Sequence, residues 1–157
     1  MIRPARASDE DELAAIDAAT WTADVTPAPY DPGRQFFDER TRREDVLVAT
    51  VDGRVAGYVK LGRANELAAS EHVRMVGGLA VGPEFQRRGL GRELVDAAIA
   101  EARARGARRL TLRVLGANDG ARRLYESAGF VVEGIQRGEF LLDGRYVDDV
   151  LMALDLG

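Results

Sequence analysis

The alternation of apolar and polar residues along the chain predicts seven strands and four helices in the order β-α-α-β-β-β-α-β-α-β-β. Strand-like runs alternate with period two, whereas helical segments repeat their apolar residues three or four apart. The clearest helical pattern covers residues 90–105, followed by Gly106 as a C-terminal cap. The strand-like runs cover residues 2–5, 46–51, 55–61, 72–81, 109–115, 130–142 and 145–154. Of the other three helices, the first begins at Ser8, the second covers residues 35–43, and the third runs from Asn118 to residue 128.

Turn-forming residues lie between these elements at the expected positions. Asp52-Gly53 and Asp143-Gly144 are dipeptides typical of tight hairpins. Ser8 and Asn118 are predicted N-caps, and Gly77-Gly78 indicates a bulge or a close backbone approach within its strand. Residues 21–33 contain three prolines and no periodicity, so they are predicted to be a loop. No linker or internal repeat interrupts the pattern, which favours one domain over residues 1–157.

Composition removes several classes of function. The 157 residues contain no cysteine and one histidine, His72, which excludes disulfides and thiolate chemistry and argues against a metal centre. A formal net charge of −4 argues against a nucleic-acid or membrane-surface role. The absence of a signal-like segment or a long apolar run predicts a cytoplasmic protein.

The segment 86–92 carries the strongest chemical signal. It follows a predicted strand and opens the amphipathic helix, so unpartnered helix N–H groups and the helix dipole favour an anion there. Two glycines allow close backbone approach, and three arginines add donors suited to phosphate. The Walker pattern is excluded because Lys60 is the sole lysine, and the dinucleotide fingerprint fails at Leu94. A phosphate, and in particular a pyrophosphate, is the predicted ligand.

Gln86, Gly89 and Gly91 match the pattern Q/R-x-x-G-x-G/A, and residues 118–130 match N-x-x-A-x-x-x-Y-x-x-x-G-F. With these two motifs in this order, the sequence resembles the GNAT superfamily of acyl-CoA-dependent N-acyltransferases over residues 46–156. The resemblance implies an α/β (α+β) fold, with a mixed, mostly antiparallel central sheet of about seven strands flanked by about four helices. It also implies acetyl-CoA as co-substrate, no metal, and direct attack by a primary amine in a ternary complex.

The resemblance also implies roles for individual residues. Tyr125 would be the general acid that protonates the coenzyme A thiolate, although a tyrosine packed on the sheet would give the same spacing. Asn118 would contact the pantetheine arm as well as cap its helix, and Arg122 would either reach the phosphates or remain solvated. The full set expected to bind the cofactor is Leu79, Ala80, Val81, Gln86, Arg87, Arg88, Gly89, Leu90, Gly91, Arg92, Asn118 and Arg122.

The general base and the acceptor stay open. Glu71, Glu84, His72 or a water chain could remove the proton, because residues 73–81 contain no acid. The acceptor could be a small-molecule amine, an amino acid or a peptide N-terminus, and a homodimer is compatible with the resemblance. The rival hypothesis is a non-catalytic acyl-CoA-binding domain. Further candidates at the acceptor site are Trp21, Tyr30, Phe36 and Phe37 as pocket walls, and one of Asp148 and Asp149, which alternate on the last strand.

Overall fold

A computed structural model describes all 157 residues of the chain. It contains one seven-stranded sheet with strand order β1-β2-β3-β4-β5-β7-β6. Every neighbouring pair is antiparallel except β4 and β5, which are parallel. The elements are β1 (Ile2–Pro4), α1 (Glu10–Thr20), β2 (Val46–Val51), β3 (Arg54–Gly62), β4 (Val73–Val81), α2 (Leu90–Ala104), β5 (Arg109–Leu115), α3 (Asp119–Ser127), β6 (Val131–Leu142) and β7 (Arg145–Asp155). The predicted mixed, mostly antiparallel sheet is confirmed.

Two apolar clusters hold the helices against the sheet. In α2, Leu94 and Ala98 are fully buried in the larger cluster, as the four-residue spacing predicts. In α1, Leu13 and Ile16 enter the smaller cluster together with Tyr58 of β3. Successive residues of a strand face opposite sides of a sheet, so β3 contributes to both clusters. The site described below therefore has helices packed around it on more than one side.

The predicted turns and caps are largely confirmed. Asp52 and Gly53 have φ values of 50° and 78°, and Asp143 and Gly144 have 51° and 75°, as a turn with two left-handed residues requires. Gly106, with φ of 83°, follows α2. No helix of the structure combines the length and the apolar character needed to cross a bilayer.

The predicted helix over residues 35–43 is wrong, so the sheet is flanked by three α-helices instead of about four, along with four short 3₁₀ turns. The segment is held by side chains instead of helical hydrogen bonds. The backbone N–H groups of Phe36 and Phe37 donate to the Glu10 carboxylate of α1, at 3.0 and 3.3 Å. The Asp38 carboxylate accepts from the N–H groups of Arg40 and Thr41, both at 2.8 Å.

Ser8 does not cap α1, contrary to the prediction. It lies inside a short 3₁₀ turn, Ala7–Asp9, that precedes the helix. Asp9 is buried and caps this 3₁₀ turn, because its carboxylate accepts from the backbone N–H of Arg6 at 2.7 Å, while α1 has no side-chain cap. The same carboxylate forms two hydrogen bonds of 2.8 Å with the Arg3 guanidinium of β1.

The parallel strands β4 and β5 separate partway along their length. Their pairing ends at Met75 and Thr111, whereas β4 continues to Val81 and β5 to Leu115. On its other edge β4 stays paired with β3, with a register shift after Lys60 that leaves Gly77 as the extra residue of a bulge. The bulge predicted from Gly77-Gly78 is therefore confirmed. Beyond it, one edge of β4 faces a gap in the sheet.

Candidate active site

The gap between β4 and β5 opens into a cleft of about 670 Å³. Residues Val76 to Val81 of β4 line this cleft, and residues of α3 line it as well. The glycine turn before α2 also lines the cleft, as do α1 and the loop that follows it. Polar and charged side chains in the lining are those of Asp17, Thr20, Trp21, Thr26, Tyr58, Lys60, Gln86, Arg87, Arg113, Asn118 and Tyr125.

The glycine turn presents backbone donors to this cleft. Arg87 and Gly89 have left-handed φ values of 64° and 81°, so the chain reverses sharply before α2. The backbone N–H groups of residues 86–89 donate to no group of the protein, and the first three of α2 have no acceptor within the helix. The Gln86 side chain donates to the carbonyl of Val81 at 3.0 Å and ties the turn to the end of β4. This arrangement suits an anion.

Gly91 serves helix packing. A Cβ at this position would lie 3.3 Å from Cδ2 of Leu124, closer than an ordinary contact. A side chain at this position would press on Leu124, so glycine favours the close approach of α2 to α3. This proximity places the N-terminus of α2 beside the helix that carries Tyr125.

The predicted arginines have different surroundings. Arg87 lines the cleft, whereas Arg88, Arg92 and Arg122 do not. The guanidinium of Arg88 stacks 5.6 Å from the ring centre of Phe85. Arg92 forms a salt bridge of 3.0 Å with Asp96 and donates to the carbonyl of Ser127 at 3.0 Å, so it links α2 to α3.

The side chain of Tyr125 is buried in α3, yet its residue lines the cleft. Its ring packs edge-on against Phe130, with 5.6 Å between ring centres. The hydroxyl forms no hydrogen bond with the protein, and burial raises its pKa to about 12. At neutral pH this phenol therefore keeps its proton and has it free to donate. The predicted cap is also present nearby, since the Asn118 side chain accepts from the backbone N–H of Ala121 at 3.2 Å.

Several polar cleft residues were not recognised from the sequence, among them Asp17, Tyr58 and Lys60. The hydroxyl of Tyr58 donates to the Asp17 carboxylate at 2.5 Å, which joins β3 to α1. Lys60, two residues further along β3, lies with its Nζ 4.6 Å from the ring centre of Phe36. A signal was available, because Lys60 is the sole lysine and the two-residue period of a strand puts it beside Tyr58. Asp17 is 41 residues from Tyr58, so only the fold reveals that pair.

The acids and the histidine considered as general bases lie outside the cleft lining. Glu84 forms a surface salt bridge of 3.0 Å with Arg54. Glu71 and His72 are exposed at the start of β4, at the opposite end from the glycine turn. In contrast, Asp17 lines the cleft.

Of the predicted pocket walls, Trp21 lines the main cleft. Together with Tyr30 and Phe36 it also lines a small side cavity, while Phe37 packs on Phe36 outside both. Neither aspartate of β7 lines the cleft, but one of them points inward as predicted, because Asp149 is 2% exposed. It pairs with Arg113 at 3.0 Å.

Comparisons with known proteins agree with this fold and cleft. The model of the acetyltransferase (GNAT) family matches residues 11–130. The chain is 34% identical over 123 residues to the [ribosomal protein bS18]-alanine N-acetyltransferase of Salmonella typhimurium strain LT2, covering 78% of this chain and 79% of the relative. It is 31% identical over 140 residues to the L-amino acid N-acyltransferase MnaT of Escherichia coli strain K12, covering 88% of this chain and 80% of the relative.

A solved structure gives the same result in three dimensions. The structure of yncA from Salmonella typhimurium, determined with its cofactor acetyl-CoA, superposes with a TM-score of 0.83 at 27% identity, covering 100% of this chain and 94% of that one. Fold and cleft thus define an enzyme of the acyltransferase class. The chain belongs to the acetyltransferase (GNAT) family.

Proposed function

We propose that this protein transfers the acetyl group of acetyl-CoA to a primary amine. The observation that carries the proposal is the Tyr125 hydroxyl, which is protonated and without a protein partner in a cleft bounded by the glycine turn and the free edge of β4. The relatives named above are an alanine N-acetyltransferase and an amino-acid N-acyltransferase, which supports an amine acceptor.

In this proposal the turn at residues 86–92 binds the pyrophosphate of coenzyme A through backbone N–H groups. The free N–H groups there and the dipole of α2 supply positive potential without a buried counter-charge. Arg87 adds formal charge at the cleft wall. Direct contacts from Arg88, Arg92 and Arg122 stay predictions, and Arg92 would have to give up its bonds to Asp96 and Ser127 to make one.

The free edge of β4 would hold the pantetheine arm and the acetyl group. Leu79, Ala80 and Val81 lie past the last β4–β5 pair, so their backbone groups on that edge are available to amides of the arm. Asn118 lines the same cleft from the start of α3. The thioester carbon would then lie between β4 and the Tyr125 hydroxyl.

The chemistry follows from these positions. The neutral amine attacks the thioester carbon, a C–N bond forms, and the C–S bond breaks. The leaving thiolate accepts a hydrogen bond or the proton from Tyr125, and the proton of the amine leaves to a base or to water. No covalent enzyme intermediate is required, since the chain has no cysteine and the cleft has no serine–histidine pair.

The proposal is tested by following free thiol from acetyl-CoA with a panel of primary amines and measuring the product by mass spectrometry. One acetylated amine per thiol released is the expected stoichiometry. Saturable acetyl-CoA binding with no product from any amine, including amino acids and peptides, would favour a non-catalytic acyl-CoA-binding domain instead.

A further inference from the structure

The sole lysine of the chain, Lys60, lines the cleft beside α1 and the loop after it, the part that we assign to the acceptor. It is on β3 and lines both the main cleft and the side cavity next to it. The side cavity has a volume of about 70 Å³ and is formed by α1 and the loop that follows it. A cavity of that volume admits a small polar group such as a carboxylate, since about 10 to 15 Å³ of such volume already holds one water.

The ammonium of Lys60 has no anionic partner within the protein. It forms no salt bridge, and its nearest ring contacts are Phe36 at 4.6 Å and Tyr58 at 5.6 Å from Nζ. Burial lowers the pKa of Lys60, while Asp17 and Asp38 raise it and Arg34 lowers it. The nearby carboxylates have other partners: Asp17 accepts from the Tyr58 hydroxyl at 2.5 Å and Asp38 pairs with Arg34 at 3.1 Å.

Lys60 is also close to the strand expected to hold the acetyl group. A Cβ at Gly78 would lie 3.5 Å from Cδ of Lys60 and 3.8 Å from Cε2 of Tyr58. The lysine stem therefore runs beside the bulged part of β4, within ordinary van der Waals distance of a carbon placed there. An acceptor that reaches the thioester along β4 would pass both the ammonium of Lys60 and the carboxylate of Asp17.

We propose that the acceptor is a small zwitterion, with its carboxylate or an equivalent anionic group bound by Lys60 and its amine beside Asp17. The inference rests on the proposed function, because it describes the acceptor of the same reaction. One cation and one anion line the acceptor side of a single cleft, which complements the two opposite charges of a free α-amino acid. Asp17 accepts from Tyr58 through Oδ1 alone, so its Oδ2 would hold the ammonium form and accept its proton before attack.

The arrangement discriminates against a peptide N-terminus. A peptide has a neutral amide where a free amino acid has its carboxylate, so the Lys60 ammonium would stay without an anion. Binding such an acceptor would withdraw water from the ammonium without supplying an anion in its place, and a site built for a polar group strongly rejects an analogue lacking it. The free amino acid is therefore the favoured acceptor.

The kinetic test compares each α-amino acid with its own carboxamide and with a dipeptide of the same N-terminal residue. We expect wild-type kcat/KM to be at least about tenfold higher for the acids, as one charge-assisted contact predicts. Lys60→Gln removes this preference by raising KM for the acids, and Lys60→Arg, which keeps the charge, retains part of it. Equal use of amides and acids by the wild type, or an unchanged preference in Lys60→Gln, would overturn the inference while leaving acetyl transfer intact.

A binding measurement on the wild type avoids any doubt about folding of the variants. Protein grown with ¹³Cε-labelled lysine gives one Lys60 signal, because the chain has no other lysine. With coenzyme A present to form a dead-end complex, addition of the preferred amino acid is expected to shift this signal saturably, and its carboxamide is not. A Lys60 signal unmoved by every amino acid at millimolar concentration overturns the inference. A shift without turnover on any amine instead contradicts the proposed transfer and leaves the zwitterion site standing.

Discussion

Replacing Tyr125 with phenylalanine isolates one hydroxyl of the cleft. That hydroxyl bonds to no protein group, so its removal leaves no unpaired partner behind, and the edge-on packing with Phe130 at 5.6 Å is kept. We expect the free energy of unfolding to change by less than about 1 kcal/mol. The effect on catalysis should be much larger, because the hydroxyl would face the departing thiolate.

The size of that effect follows from the acidity of the phenol. Burial raises the pKa of Tyr125 to about 12, whereas a thiol ordinarily has a pKa of about 8.5. Complete proton transfer to the thiolate would then cost about 5 kcal/mol, at roughly 1.4 kcal/mol for each pH unit. A hydrogen bond to the developing charge has no such cost and contributes about 1.5 to 3 kcal/mol. We therefore expect kcat to fall about 10- to 150-fold in Tyr125→Phe, with KM for acetyl-CoA changed less than about twofold.

Thiol release under saturating acetyl-CoA and amine measures this change directly. Tyr146→Phe is the matched control, because Tyr146 is 77% exposed and lies outside the cleft. Thermal unfolding of both variants separates catalysis from stability. A fall in kcat of less than about threefold, or an equal fall in Tyr146→Phe, would refute the reasoning.

Three further predictions concern the fold and the turn. Asp9→Asn should cost about 2 to 3 kcal/mol at pH 7. Hydrogen bonding to Arg3 lowers the pKa of Asp9 from 3.8, so the stabilisation by its carboxylate is present above that pH and is lost as the pH falls through the lower pKa of the folded state. In urea titrations, the difference in unfolding free energy between Asp9→Asn and the wild type should therefore narrow in that acid range. A difference that does not depend on pH would contradict the reasoning. Gly57→Ala should cost about 1 to 3 kcal/mol in the same assay, because its Cβ would lie 2.7 Å from the carbonyl oxygen of Ala80. By calorimetry, Arg87→Ala should weaken coenzyme A binding, with a loss of affinity that shrinks as salt is added, and Arg92→Ala should weaken it less. A larger loss in Arg92→Ala would indicate that Arg92 contacts the cofactor.

The sequence predicted the regular elements because local and tertiary preferences agree there. The predicted runs 46–51 and 109–115 coincide with β2 and β5, and both glycine-containing hairpins form. The prediction of a helix over residues 35–43 was wrong for a physical reason. Their backbone is held by Glu10, 26 residues away from Phe36, and no local pattern encodes such a bond.

The site residues likewise divide into those that sequence motifs predicted and those that only the fold brings together. The glycine turn and Tyr125 belong to motifs that can be read along the chain, and the structure brings both to one cleft. The acceptor side could not be predicted, because Asp17, Tyr58 and Lys60 come from α1 and β3 and meet only after folding. Conversely, the three arginines of the turn are neighbours in sequence but do not all face the cleft. Arg92 faces α3 through its hydrogen bond to Ser127.

Calorimetry that compares acetyl-CoA with acetyl-pantetheine tests the role of the turn before α2 most directly. The two ligands share the thioester and the amide arm, but acetyl-pantetheine lacks the nucleotide and its pyrophosphate. Because the turn offers free N–H groups and a helix dipole to phosphate, we expect acetyl-CoA to bind at least about a hundredfold more tightly, with an affinity that falls as salt is added. Equal affinity for the two ligands, or no saturable binding of acetyl-CoA at millimolar concentration, would contradict the account.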